Sequence, residues 1–254
     1  MLVKYLTYLQ YILIIIIGSL IIYHAFTLIQ GVFLLASLLL VLFALVNFIT
    51  LRYFSDERNS MWQVYAGLML LAMIFGSLGD FAMPGIFIFP LTDTFINGII
   101  YFGIGHAFYL LALRKSSPLL FEVNTEKRLI KSRNLILWLA SIFIVILLFL
   151  VTVYNPSDMV ISIGAFGYGI LLITVLAFAI TKWFDDFPLY FKVVLVVGFL
   201  LFFISDWALG VKQLRDSAFM SGTAFVGFTY AVGQLLIQSS TILGNEKSLN
   251  DTGI

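Results

Sequence analysis

The sequence contains no cysteine, two histidines, five prolines and few charges, with 14 Lys and Arg against 13 Asp and Glu in 254 residues. Without cysteine there are no disulfides, no thiolate zinc ligands and no cysteine nucleophile, and the redox compartment stays open. With two histidines and no His-x-x-x-His pair, a zinc site would have to combine His106 with carboxylates. There is no glycine-rich phosphate loop and no Gly-x-Ser-x-Gly elbow. Charged residues make up 11% of the chain, too few to cover a soluble domain of this size. The net charge of +1 names no charged partner, and nothing points to nucleic acid.

What the chain does have is hydrocarbon. It is 62% hydrophobic with a mean hydropathy of +1.09. Apolar windows of membrane-spanning length fall near residues 6–26, 32–50, 62–82, 94–113, 135–154, 160–181, 189–209 and 219–243. The expected fold is an all-α integral membrane protein, a single transmembrane domain over 1–254 with eight helices in one bundle. Its first half runs over 1–114, a basic loop over 114–134, a second half over 135–244 and a short tail over 245–254. The opening run, "MLVKYLTYLQYILIIIIGSLIIYHAF", is longer than a signal-peptide core and has no small-residue cleavage site, so it reads as a retained first helix. Twelve of the 14 Lys and Arg fall on the side of the termini, and only Lys212 and Arg215 on the other. The positive-inside rule then makes both termini cytoplasmic. The basic loop is first a topology signal, with contact to anionic headgroups a second use.

Two segments half a chain apart match. "SLGDFAMPG" (77–85) and "FISDWALG" (203–210) both read small residue, Asp, aromatic, Ala, aliphatic, helix breaker, which pairs Asp80 with Asp206 at an offset of 126. "NGIIYFGIGHA" (97–107) and "SGTAFVGFTYA" (221–231) pair at 124, with His106 opposite Tyr230. In order, these suggest two parallel four-helix pseudo-repeats related by an axis along the membrane normal. The two acids would then face each other at similar depth, with Gly76 and Gly79 allowing close helix approach. A carboxylate inside a membrane costs about 2.5–3.5 kcal/mol at a helix centre. Two together cost more if both ionise, so the pair is expected to hold one proton, giving a donor and an acceptor for acid–base hydrolysis. The blander reading is that each Asp reaches water separately or caps a helix end.

Other polar residues divide the same way. His106 is either packed and hydrogen-bonded in its helix, or a proton shuttle or orienting partner for an Asp or for substrate. Tyr109 lies one turn beyond it. Tyr230 and Gln234, four apart on one helix face, either bind a polar headgroup or bridge helices. His24 reads as interfacial, near the outer end of the first helix.

These residues resemble the YhhN-like lysoplasmalogenases. The likeness lies in "SLGD" with Asp80, "FINGIIYFGIGHAFY" with Gly98, His106 and Tyr109, "SDWAL" with Asp206, and "YAVGQLLI" with Tyr230 and Gln234. The family's Lys-Pro pair near the second helix is replaced by "NFITLRYF", and Met83 stands where Leu is usual. The resemblance implies hydrolysis of the vinyl ether bond of lysoplasmalogens, lysophospholipid substrates drawn from the lipid bilayer. The products would be a fatty aldehyde and glycerophosphoethanolamine or glycerophosphocholine. It also implies that Asp80 and Asp206 are catalytic, with His106, Tyr109, Tyr230 and Gln234 positioning substrate or water and no cofactor required. Three readings compete: a transporter with a paired-carboxylate cation or proton site, a metal-dependent lipid hydrolase of the ceramidase kind, and a membrane scaffold.

Overall fold

A computed structural model describes residues 2–54, 60–86, 89, 93–116, 126–215 and 223–244. Eight α-helices follow in order: α1 (Leu2–Thr27), α2 (Gln30–Phe54), α3 (Ser60–Ala82), α4 (Thr94–Lys115), α5 (Glu126–Leu148), α6 (Met159–Thr181), α7 (Leu189–Arg215) and α8 (Thr223–Leu243). A π-helical turn, Phe149–Val153, extends α5, and a single 3-10 turn, Lys182–Phe184, follows α6. Among the described residues, α1 to α7 each supply a stretch long and apolar enough to cross a bilayer on its own. The chain is a multi-pass integral membrane protein.

α8 is the exception, and its composition explains why. It buries Thr229, Gln234, Gln238, Ser240 and Thr241 against its neighbours, so its polar groups face protein rather than lipid. In hydrocarbon such groups must be satisfied internally, and most are; Gln238 Oε1 has no hydrogen-bond partner among the described residues. Thr229, Ser240 and Thr241 bond back to carbonyls of their own helix, while Gln238 donates to Met69 O at 3.2 Å.

Three of the boundaries that differ from the sequence reading bear on the motifs. α5 begins at Glu126, so the latter part of the basic segment is its first turns; Lys, Arg and Glu are good helix formers. α7 runs through Gly210 to Arg215, so the breaker in the repeated motif acts only in α3, where Pro84 and Gly85 (φ 76°) end the helix. α8 starts at Thr223, and residues 219–222 lie outside the described segments.

The repeat is visible in the backbone. A β-carbon placed on Gly105 of α4 would lie 2.9 Å from Ala72 O and 3.4 Å from Gly76 N of α3. One placed on Gly233 of α8 would lie 2.8 Å from Gly198 O and 3.1 Å from Phe202 N of α7. The α3 and α7 atoms are 126 residues apart, as the acid motif requires. The glycines, however, are 128 apart, which puts α4 and α8 about one turn from the register of 124. Phe102 is therefore the counterpart of Tyr230, and His106 of Gln234. Gly76 does lie at the first crossing, whereas Gly79 makes room for the Phe102 ring.

The α3–α4 and α7–α8 pairs form the centre of the bundle, and the halves interlock: α8 packs on α2 and α4 packs on α6. Two contacts break the symmetry. α1 and α3 both pack against α8, but among the described residues their counterparts α5 and α7 make no comparable contact with α4.

Without a hydrophobic force between lipid-exposed helices, these glycine crossings carry much of the packing. Gly105→Val and Gly233→Val each drive side-chain carbons into opposing backbone, and are expected to lower stability by about 1–3 kcal/mol. Gly103→Ala, where a β-carbon meets nothing within 4 Å, should be near neutral. Thermal unfolding in detergent measures the difference.

Candidate functional site

At the end of the bundle away from the start of α1 and the end of α8, the ends of α1, α3 and α7 and the beginnings of α2 and α8 enclose a cavity of about 370 Å³. The α1–α2 turn forms one wall. Leu28 takes a left-handed conformation (φ 56°), unusual for a branched side chain, and its N–H donates to His24 O at 2.7 Å. That closes α1 in a tight C-terminal turn and leaves His24 and Leu28 lining the cavity. His24, at the end of α1, is buried, with Ile29 O 3.1 Å from its Nδ1 and Phe33 packed on its ring.

Both acids of the repeated motif line this cavity. Asp80 is 4% exposed, and its Oδ2 accepts from Ser37 Oγ of α2 at 2.6 Å and from Tyr230 OH of α8 at 3.0 Å. Asp206 is half-buried, and its Oδ2 accepts from Tyr168 OH of α6. The design repeats: in each half the second helix supplies a hydroxyl to the acid of the third. It also departs from symmetry. Tyr230 crosses from the second half to the acid of the first, while its counterpart Phe102 has no hydroxyl to return. Among the described residues Asp80 therefore has two donors and Asp206 one.

Neighbouring contacts fix the helices that carry the acids. Ser205 Oγ donates to Val226 O of α8 at 3.0 Å, and Trp207 Nε1 donates to Thr152 Oγ1 in the π-helical turn at 2.9 Å. The Tyr230 ring packs among Phe33, Phe102 and Phe202, with centroids 5.7, 5.9 and 5.1 Å away, so its hydroxyl has little freedom to leave Asp80.

The remaining sequence candidates lie elsewhere. His106 does not bond to either acid: its Nδ1 donates to Phe102 O of its own helix at 2.7 Å, which makes Nε2 the unprotonated nitrogen of the neutral ring. Nε2 has no hydrogen-bond partner among the described residues. The ring sits edge-on to Tyr168 and Phe202, so it supports the Asp206 donor through packing. Tyr109 and Gln234 lie outside the cavity lining and bond to each other, Tyr109 OH donating to Gln234 Oε1 at 2.5 Å while accepting from Gln238 Nε2 at 3.0 Å. They bridge helices one layer below the acids.

Sequence reasoning missed Ser37 and Tyr168, the hydroxyls that hold the acids. It also used Lys212 only as a topology charge, although Lys212 lines the cavity. Among the described residues, no three His, Asp or Glu side chains converge as metal ligands.

The model of the YhhN family matches residues 30–241, from the first turn of α2 into α8. The chain belongs to the YhhN family. No curated protein and no solved structure matches it. The matched region holds both acids and the hydroxyls that bind them, together with Lys212; His24 precedes it.

Because Tyr109 sits in the bridging layer, Tyr109→Phe is expected to act on stability. It strands Gln234 Oε1, and the unfolding free energy in detergent should fall by about 1–3 kcal/mol. Gln234→Leu, which strands the tyrosine hydroxyl instead, should behave alike, and the double variant should cost less than the sum of the two.

Proposed function

We propose that this YhhN protein is a lysoplasmalogenase, hydrolysing the vinyl ether of a lysophospholipid with Asp80 and Asp206 as an acid–base pair. The observation that carries the reading is that two carboxylates from different halves of a membrane protein line one cavity, each held by a hydroxyl from another helix. Ionisable side chains inside membranes usually mark function, and paired acids of this kind suit the cleavage of acetal-like bonds.

The chemistry requires one proton donor and one carboxylate. The protonated acid delivers its proton to the chain-side carbon of the C=C–O group, and the vinyl ether becomes an oxocarbenium ion. The second carboxylate lies against this developing cation and then takes a proton from the attacking water. The resulting hemiacetal collapses to aldehyde and glycerol hydroxyl, with the lipid oxygen leaving on the glycerol side. Tyr168, Tyr230 and Ser37 hold the carboxylates in place, so little reorganisation is needed as charge develops. YhhN family membership supports a hydrolase of this kind.

Purified protein should release fatty aldehyde from an alkenyl lysophospholipid while leaving an ester-linked lysolipid intact. In D2O the aldehyde should carry one deuterium on the carbon next to the carbonyl, because that carbon receives the solvent-derived proton. Asp80→Asn and Asp206→Asn should each lower kcat by about 10²-fold or more. No aldehyde release by the folded wild-type protein would overturn the reading. Transport of a cation into liposomes without turnover would favour the carrier instead.

Tyr168→Phe removes the one hydroxyl on Asp206 among the described residues, whereas Ser37→Ala leaves Tyr230 still on Asp80. Tyr168→Phe is therefore expected to cost more, roughly ten-fold in kcat against two- to three-fold, on the scale of a charge-assisted hydrogen bond. Steady-state aldehyde release by the two variants measures the ratio.

A further inference from the structure

Asp206 borders a second space besides the cavity it shares with Asp80. A narrow slot of about 70 Å³ runs from Asp206 between α4, α5, α6 and α7, and apart from Asp206 and Tyr168 its walls are almost wholly apolar. Ile99, Val145, Phe149, Phe166 and Leu172 are among them. The slot lies where the internal symmetry fails: α1 closes against α8 in one half, while α5 stands off α4 in the other. The π-helical turn contributes Phe149 and Val153 to the same wall, and insertions of this kind often occur at functional sites.

The larger cavity has the opposite character at its rim. Lys212 of α7 lines it and makes no hydrogen bond or ion pair within the described residues. It stands six residues beyond Asp206, about 9 Å along the helix axis. A single-chain glycerophospholipid has a similar layout: from the chain–glycerol ether to the phosphate is five or six bonds, roughly 7 Å when extended. The lysine stem covers the remainder.

We propose that the slot and the cavity together form one binding site for a single-chain phospholipid. The first carbons of the hydrocarbon chain enter the slot between α4, α5, α6 and α7, the first bond of the chain lies at Asp206, and Lys212 binds the headgroup phosphate. The slot's small volume admits one chain there and not two. The chain-side end of the substrate is fixed by packing and the glycerol end by charge, so the scissile bond is held between the acids by groups that take no part in the chemistry. Lys212 is thus a positioning and specificity residue. The proposal rests on the lysoplasmalogenase reading for the identity of the scissile bond, but not for binding.

Binding is measured with two probes that lack a vinyl ether and so cannot be cleaved by this chemistry: a saturated 1-O-hexadecyl lysophospholipid, and 1-O-hexadecylglycerol, which has the chain without the phosphate. Lys212→Met should weaken the phospholipid about five- to ten-fold, between the values of an exposed and a desolvated ion pair, and leave the glycerol ether unchanged. Lys212→Arg should restore binding. A β-carbon on Gly169, in the slot wall, meets nothing within 4 Å, so Gly169→Leu has room to fold and should weaken both probes. Equal effects of Lys212→Met on the two probes, or no effect of Gly169→Leu on either, would overturn the proposal. Failure of aldehyde release with these binding differences intact would remove the assigned reaction and leave the lipid site standing.

Discussion

The structure is organised by the need to keep two carboxylates inside a bilayer. An isolated carboxylate there is costly, and it is tolerated only where other groups replace its water. Ser37, Tyr168 and Tyr230 are those groups, and each comes from a different helix from the acid it binds. The acids therefore tie α2 to α3, α6 to α7 and α8 to α3. Any arrangement that lost these crossings would leave charge or an unsatisfied proton in hydrocarbon. The functional groups and the tertiary contacts are the same atoms.

The internal pseudo-repeat explains how two such acids come to share one space. Each half builds the same unit: a glycine-mediated helix crossing, and above it an acid on the third helix bound by a hydroxyl from the second. Symmetric units alone would give two equivalent carboxylates, yet the acid–base pair proposed above needs unlike partners. Phe102 in place of a second tyrosine, and a half-buried Asp206 against a buried Asp80, supply the difference. The displacement of α5 from α4 supplies another, because it gives Asp206 an apolar neighbour space that Asp80 lacks.

The acids were legible in the sequence because Asp is rare in an apolar chain, and the flanking aromatic–Ala–aliphatic pattern occurs twice. Seven of the eight spans were equally clear, since apolar length alone determines them. The hydroxyls were not. Ser37 in "LLASLLL" and Tyr168 in "AFGYGI" look like any small packing residue or aromatic in a membrane helix, and only tertiary contact distinguishes them. His106 stays ambiguous for the converse reason: an imidazole in hydrocarbon draws attention, and its Nδ1 bonds within its own helix, as a packing residue's would. The α4–α8 register slipped by a turn because glycine recurs often enough in these helices to align at 124, whereas only backbone contact fixes 128.

α8 links these observations. Its polar residues leave it the α-helix that, among the described residues, supplies no stretch apolar enough to count as a span by composition. Those residues are also what the site needs: Tyr230 for Asp80, and below it Gln234 and Gln238 bound to Tyr109. A helix carrying so many hydrogen-bonding groups survives in lipid only if other helices surround it, and α1, α2, α3 and α7 do so. The close packing of α1 on α8 follows from this demand. α4, with fewer polar groups to shield, needs no matching cover from α5, which leaves room for the slot beside Asp206. The polarity that holds one acid in place thus accounts for the open space beside the other.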